Sequence, residues 1–195
     1  MKIRLLALSI AALCLNNTTL AEGDHHSAYA GEQHRSIKSL SSADIADLKA
    51  GAGWGLAKSA ELNGVPGPLH LLEMQDEIEL SALQLQQITK VFNEMRSTAR
   101  TLGEQLTDQE SKLDEKFRND IPAEDELKSI LSEIGSTRSA LRYVHLSAHL
   151  KMPEILSSHQ IKTYNRIRGY TDTNPCENVP EGHDETMWKK HNGCE

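Results

Sequence analysis

Apolar side chains recur at three- and four-residue intervals across two long stretches of this chain, and that spacing admits few folds. Between Leu80 and about Arg118 they fall at Ile88, Val91, Phe92, Met95, Ala99, Leu102, Leu106, Leu113 and Phe117. At 3.6 residues per turn these positions share one face, which predicts a single long amphipathic helix. "RNDIPAED" breaks the pattern and offers Pro122 as a first-turn residue for a second helix. From about Ala123 to Met152 the stripe resumes at Leu127, Ile130, Leu131, Ile134, Leu141, His145, Ala148 and Met152. The connection is short, so the two helices are expected to be antiparallel neighbours that dimerise through the apolar stripe.

No segment alternates at period two, and the long middle is rich in Leu, Ala, Glu, Gln, Lys and Arg, all strong helix formers. The expected class is therefore all-α, a long antiparallel helical hairpin with shorter flanking helices. Ser41 or Ser42 can cap a helix through "ADIADLKA", which the glycines of "GAGWGLAK" weaken or break. That glycine triplet is not a phosphate loop, because no strand precedes it and its spacing is not GxGxxG. "NGVPGP" predicts a turn, and Pro68 can start a short helix "PLHLLEM". Pro153 should kink or stop the second long helix. A shorter helix through "HQIKTYNRIRGY" is expected to run to about Arg168, with Gly169 as its terminator.

The first 21 residues predict a leader rather than structure. Lys2 and Arg4 precede the apolar run "LLALSIAALCL", and "TLA" ending at Ala21 supplies small residues for cleavage. Leu13 before Cys14 is too large for lipoprotein processing, so simple cleavage is expected, with a periplasmic product that is not inserted in the membrane. Export puts Cys176 and Cys194 in an oxidising compartment, where a disulfide between them is expected, worth about 3 kcal/mol in the chain-entropy account. The formal charge is −7, and losing Lys2 and Arg4 with the leader makes it −9. A chain that acidic is a poor candidate for nucleic acid, whose binding rests on Lys and Arg neutralising phosphates.

"LSALQ" (Leu80 to Gln84) opens the first long helix, and "LSSHQ" (Leu156 to Gln160) opens the last. In each, Ser81 or Ser157 can cap the helix while Gln84 or Gln160, three residues on, reaches back as a capping box. This pair resembles the LTxxQ motifs of the Spy/CpxP family of periplasmic proteins, with Ser in place of the usual Thr. The likeness covers about residues 66 to 170. It implies a cradle-shaped, all-helical homodimer that binds unfolded or misfolded proteins without ATP, or that attenuates a membrane sensor kinase or anti-sigma partner of the envelope-stress response. Related members, the zinc-resistance-associated proteins and the CnrX-like nickel/cobalt sensors, bind or sense heavy metals. The organisation expected is a leader over 1–21, a flank with a short helix over 22–65, the hairpin domain over 66–170 and a disulfide-closed tail over 171–195.

Two constellations carry the candidate chemistry. A hairpin turn centred near residue 121 sets Arg96 and Arg100 level with Arg142 and Arg138, a basic band that is either a solvated face or a contact surface for clients or an acidic partner. His145, His149 and Met152 follow at i, i+4 and i+7, with Glu94 opposite them and His70 nearby. Such a His/Glu/Met set suits zinc, copper, nickel or cobalt, although no cofactor is required. It equally suits a packed helix face in which His145 and Met152 are simply buried. The chain has no nucleophile with a base at recognisable spacing, no HExxH and no carboxylate dyad, so no enzymatic activity is expected.

Overall fold

The computed structural model describes residues 27–171, 176–177, 179–180 and 182–194. The expected leader over 1–21 and the "DHH" stretch, Asp24 to His26, lie outside them. Residues up to Gln33 and those from His34 onward form separate compact units. In the former, the described residues include a turn in which Ala30 N–H donates to Ser27 O. The latter contains all seven α-helices of the described residues, among which there is no strand.

The helices are α1 (Ser42–Ala50), α2 (Lys58–Glu61), α3 (Pro68–Glu73), α4 (Ala82–Asn119), α5 (Glu124–Ile155), α6 (Ser158–Ile167) and α7 (Glu185–His191). The two long helices α4 and α5 pack against each other as a hairpin. Ion pairs from Lys116 to Glu126 near the tip and from Glu110 to Arg138 further down fix the antiparallel register. Apolar residues of the two stripes meet residues of the flank in one core of Ile37, Leu40, Leu48, Ala99, Leu106, Ile134 and Leu141. A second core gathers Leu71, Ile78, Ile88, Met152, Leu156 and Tyr164. Both clusters include residues from outside the hairpin. The middle of the stripe is thus covered by this chain's own flanks, with Ile88, Ala99 and Leu106 each 0% exposed, while toward the tip Phe117 and Leu131 stay 55% and 48% exposed.

Ser41 caps α1 and forms a reciprocal capping box with Asp44. The helix ends at Gly51, whose φ of +67° is a left-handed conformation that side chains resist. A second glycine decides how α1 crosses the hairpin. A Cβ on Gly103 would stand 2.1 Å from Leu48 O, so only a bare α-carbon lets α1 lie this close to α4.

Pro153 neither stops nor marks the end of α5, which continues to Ile155. The proline falls in the last turn, and the following turn still closes through Leu156 N–H to Met152 O at 3.0 Å, so little of the hydrogen-bond ladder is lost. A disulfide joins Cys176 to Cys194, and α7 lies between them, capped by Asp184 Oδ1 accepting from Met187 N–H at 2.9 Å.

Candidate functional site

The twin Leu-Ser-x-x-Gln motifs cap their helices as the sequence suggests, and they also grip each other. Ser81 and Ser157 accept from the backbone N–H of Gln84 and Gln160, at 3.3 and 3.2 Å. Each glutamine Oε1 accepts from its own cap's N–H, Ser81 at 3.0 Å and Ser157 at 2.9 Å. The two amides then bond reciprocally, Gln84 Nε2 to Gln160 Oε1 at 2.9 Å and Gln160 Nε2 to Gln84 Oε1 at 3.0 Å. The remaining amide protons reach across to the carbonyl before the opposite motif, Gln84 to Ile155 O and Gln160 to Glu79 O. Both side chains thereby use two donors and two acceptor sites, the whole capacity of an amide, in an arrangement with local two-fold symmetry. Leu80 packs against the second core and Leu156 is part of it, so the clasp sits on an apolar base.

The Gly-rich loop after α1, residues of α2, the start of α3 and one face each of α4 and α5 line a cleft of about 400 Å³. His145 and His149, 3% and 7% exposed, contribute to its lining one turn apart on α5. His149 Nδ1 lies 2.9 Å from Val65 O, and because a carbonyl only accepts, Nδ1 carries the proton. The same ring presses on Gly67, where a Cβ would approach its Nε2 to 2.7 Å. His145 Nε2 is buried with no partner. Burial, and then the neighbouring His149, lower the His145 pKa below its usual 6.5, which keeps this imidazole neutral near pH 7.

Glu61 closes one side of the cleft. Its Oε1 accepts from the Tyr164 hydroxyl, lies 3.1 Å from Tyr170 OH, and lies 3.3 Å from Arg168 Nε. Burial, followed by the bond to Glu61, raises the Tyr164 phenol above its ordinary range, and it stays a donor. Two hydroxyl donors and one ion pair thus converge on Glu61 Oε1, while Oε2 lies 4.0 Å from His149 Nδ1. Trp54, also on the lining, has φ of +44°, a strained value for a large side chain. It is held there by its indole N–H to Asp44 Oδ1 at 2.8 Å and by the Arg138 guanidinium 5.1 Å from its ring centroid.

The structure does not assemble the proposed metal set. Met152 is 0% exposed in the second core, and His70 Nδ1 is engaged with Glu73 at 2.7 Å. Glu94 faces solvent within 4.0 Å of Lys90. His145 and His149 remain adjacent, yet among the described residues no three His, Cys, Asp or Glu side chains gather at metal-holding distance. The sequence spacing placed ligands on one helical stripe, but that stripe faces the core. The arginine band is likewise divided. Arg96 Nε donates to Ala50 O at 3.2 Å and its guanidinium lies over Phe92. Arg138 pairs with Glu110 at 3.3 Å besides Trp54, and the Arg100 side chain lies under Gly51. Arg142 stays exposed. The other three stay exposed as well, each touched by the N-terminal flank at Ala50, Gly51 or Trp54.

Sequence reasoning does not anticipate α2, the Glu61 cluster or the joining of the two motifs. The equal spacing within the motifs is the only available signal for the last. No protein-family profile, curated protein or solved structure matches the chain.

Proposed function

We propose that this protein works outside the cytoplasm as an ATP-independent binding protein of the Spy/CpxP type, holding unfolded proteins or a sensor partner rather than catalysing a reaction. The observation that carries this reading is the clasp: the residues that define the twin motif are the same residues that lock the two ends of the hairpin together. A surface for clients is available on the hairpin itself. Tyr143 and Leu150, one heptad apart on α5, are 70% and 69% exposed, and Arg142 adjoins them. Exposed apolar side chains next to an arginine suit adaptable contacts with varied partners. A homodimer belongs to the same reading and has to use surface other than the buried middle of the stripe; sedimentation velocity tests it.

The direct test is aggregation of a chemically denatured client diluted into buffer with equimolar purified protein. Light scattering is expected to fall strongly, and a Tyr143→Ser/Leu150→Ser variant is expected to lose most of that effect while keeping its helical content. Undiminished aggregation in the presence of the unmodified protein sinks the chaperone reading. A heavy-metal function has little support beside it, because among the described residues no three of the candidate ligands gather at metal-holding distance.

A further inference from the structure

The cleft beside His145 goes beyond client binding, because its chemistry is that of a small-molecule site. Its volume of about 400 Å³ falls in the range of roughly 300–1,000 Å³ that such sites occupy. Trp54, Leu69, Phe92 and Met95 supply apolar walls, and Leu69 is left 41% exposed, surface that a ligand would cover. The polar groups on the lining are unequal in sign. Glu61 Oε1 is already held by Tyr164, Tyr170 and Arg168, and its Oε2 lies 4.0 Å from His149 Nδ1. That leaves the cations Lys58 and Arg96, and the imidazoles, facing the space. Arg96 spends its Nε on Ala50 O, while its two terminal nitrogens meet no acceptor among the described residues. Lys58 makes no ion pair among the described residues and reaches along the loop by Gly55. His145 adds a buried ring nitrogen without a partner.

We propose that this cleft binds an apolar-tailed carboxylate, an alkanoic or arylalkanoic acid of modest length, with the tail between Phe92, Met95 and Trp54 and the carboxylate toward Lys58 and Arg96. Two alternatives fit less well. For a divalent metal, His70, His145, His149 and Glu61 line the cleft, yet among the described residues no three such groups gather at metal-holding distance. A neutral apolar molecule would fill the same walls but forgo the charge-assisted bonds that Lys58 and Arg96 offer at the rim of the cleft.

The test uses the full mature protein carrying Trp188→Phe, so that Trp54 alone reports, titrated with decanoate below its micelle concentration, with 1-decanol and with acetate. Saturable one-to-one binding of decanoate is expected, with decanol at least about tenfold weaker and acetate without effect, the tenfold corresponding to about 1.4 kcal/mol. Lys58→Gln removes a charge without an ion-pair partner and should leave the fold intact, while raising the decanoate Kd severalfold. Arg96→Gln should do the same, and Lys112→Gln, away from the cleft, should not. Decanol binding as tightly as decanoate overturns the charge assignment. Decanoate affinity that survives both Lys58→Gln and Arg96→Gln, or the absence of saturable binding, overturns the site. None of these outcomes depends on aggregation suppression, so the two proposals fail separately.

Discussion

Replacing one hydrogen by a methyl group at two glycines should move stability in opposite directions. Gly103 and Gly135 both sit inside long helices, so alanine gains the same helix propensity at each, about 0.5–1 kcal/mol. The surroundings differ. At Gly135 a Cβ meets nothing within 4 Å, whereas at Gly103 it meets Leu48 O at 2.1 Å and Leu48 C at 2.7 Å. Carbon and carbonyl oxygen tolerate roughly 3.3 Å, so α1 must retreat by more than about 1 Å. Leu48, 1% exposed, then leaves the first core. Overpacking of this kind costs about 1–3 kcal/mol, sometimes more. Because the propensity gain is common to both sites, the difference between the two variants isolates the clash. Gly135→Ala should be slightly stabilised, with Gly103→Ala lying about 1–3 kcal/mol below it, or about 2–12 °C in Tm for a chain of this size. Urea unfolding followed by circular dichroism measures the gap. Equal midpoints with equal slopes would refute the claim that α1 crosses α4 at bare backbone.

The clasp predicts coupling: Gln84→Ala or Gln160→Ala alone should cost about 1–3 kcal/mol by orphaning the partner amide, and the double variant should cost less than the sum by about 0.5–3 kcal/mol in a double-mutant cycle. Asp44 predicts an acid limb. Bonds from the Ser41 side chain, the Trp54 indole and the Ser41 backbone lower its pKa from 3.8 to about 2. The unfolded chain therefore takes up that proton first, so the contribution is whole above about pH 4 and vanishes as pH falls toward 2; Asp44→Asn should flatten that part of a stability-against-pH curve. His145, whose neutral form the fold favours, acts in a higher window. Its contribution is complete above its ordinary 6.5 and is lost as pH falls below that value, and His145→Leu should show a shallower loss of stability between about pH 7.5 and 5.

The long helices were legible because α4 and α5 each repeat their apolar spacing over many turns, and a local period is something a sequence displays directly. Caps were legible for the same reason: Ser81 and Gln84 are three residues apart. What joins Gln84 to Gln160 spans 76 residues, and no local pattern encodes it. The side toward which a stripe faces was equally hidden. His145, His149 and Met152 do share a face, but whether that face meets solvent, a metal or a core depends on the flank, whose α1 and α2 are short and carry little periodic signal. The four-residue α2 is below the length at which amphipathic spacing can be recognised, so the placement of Glu61 beside Tyr164 could not be foreseen. Nothing local marks Gly103, since its use is defined by Leu48, more than fifty positions away in the chain.

The reciprocal glutamine pair has a mechanical consequence. Both strands of chain leaving the hairpin depart from its same end, so any tension carried between residues 80 and 156 pulls α4 and α5 apart like the jaws of a zip. Four bonds, from two amides to each other and to the Ile155 and Glu79 carbonyls, stand at the mouth where that load first arrives. In an optical-trap experiment the rupture force should be set there and drop sharply when either glutamine is removed, although the remaining length of the hairpin is untouched.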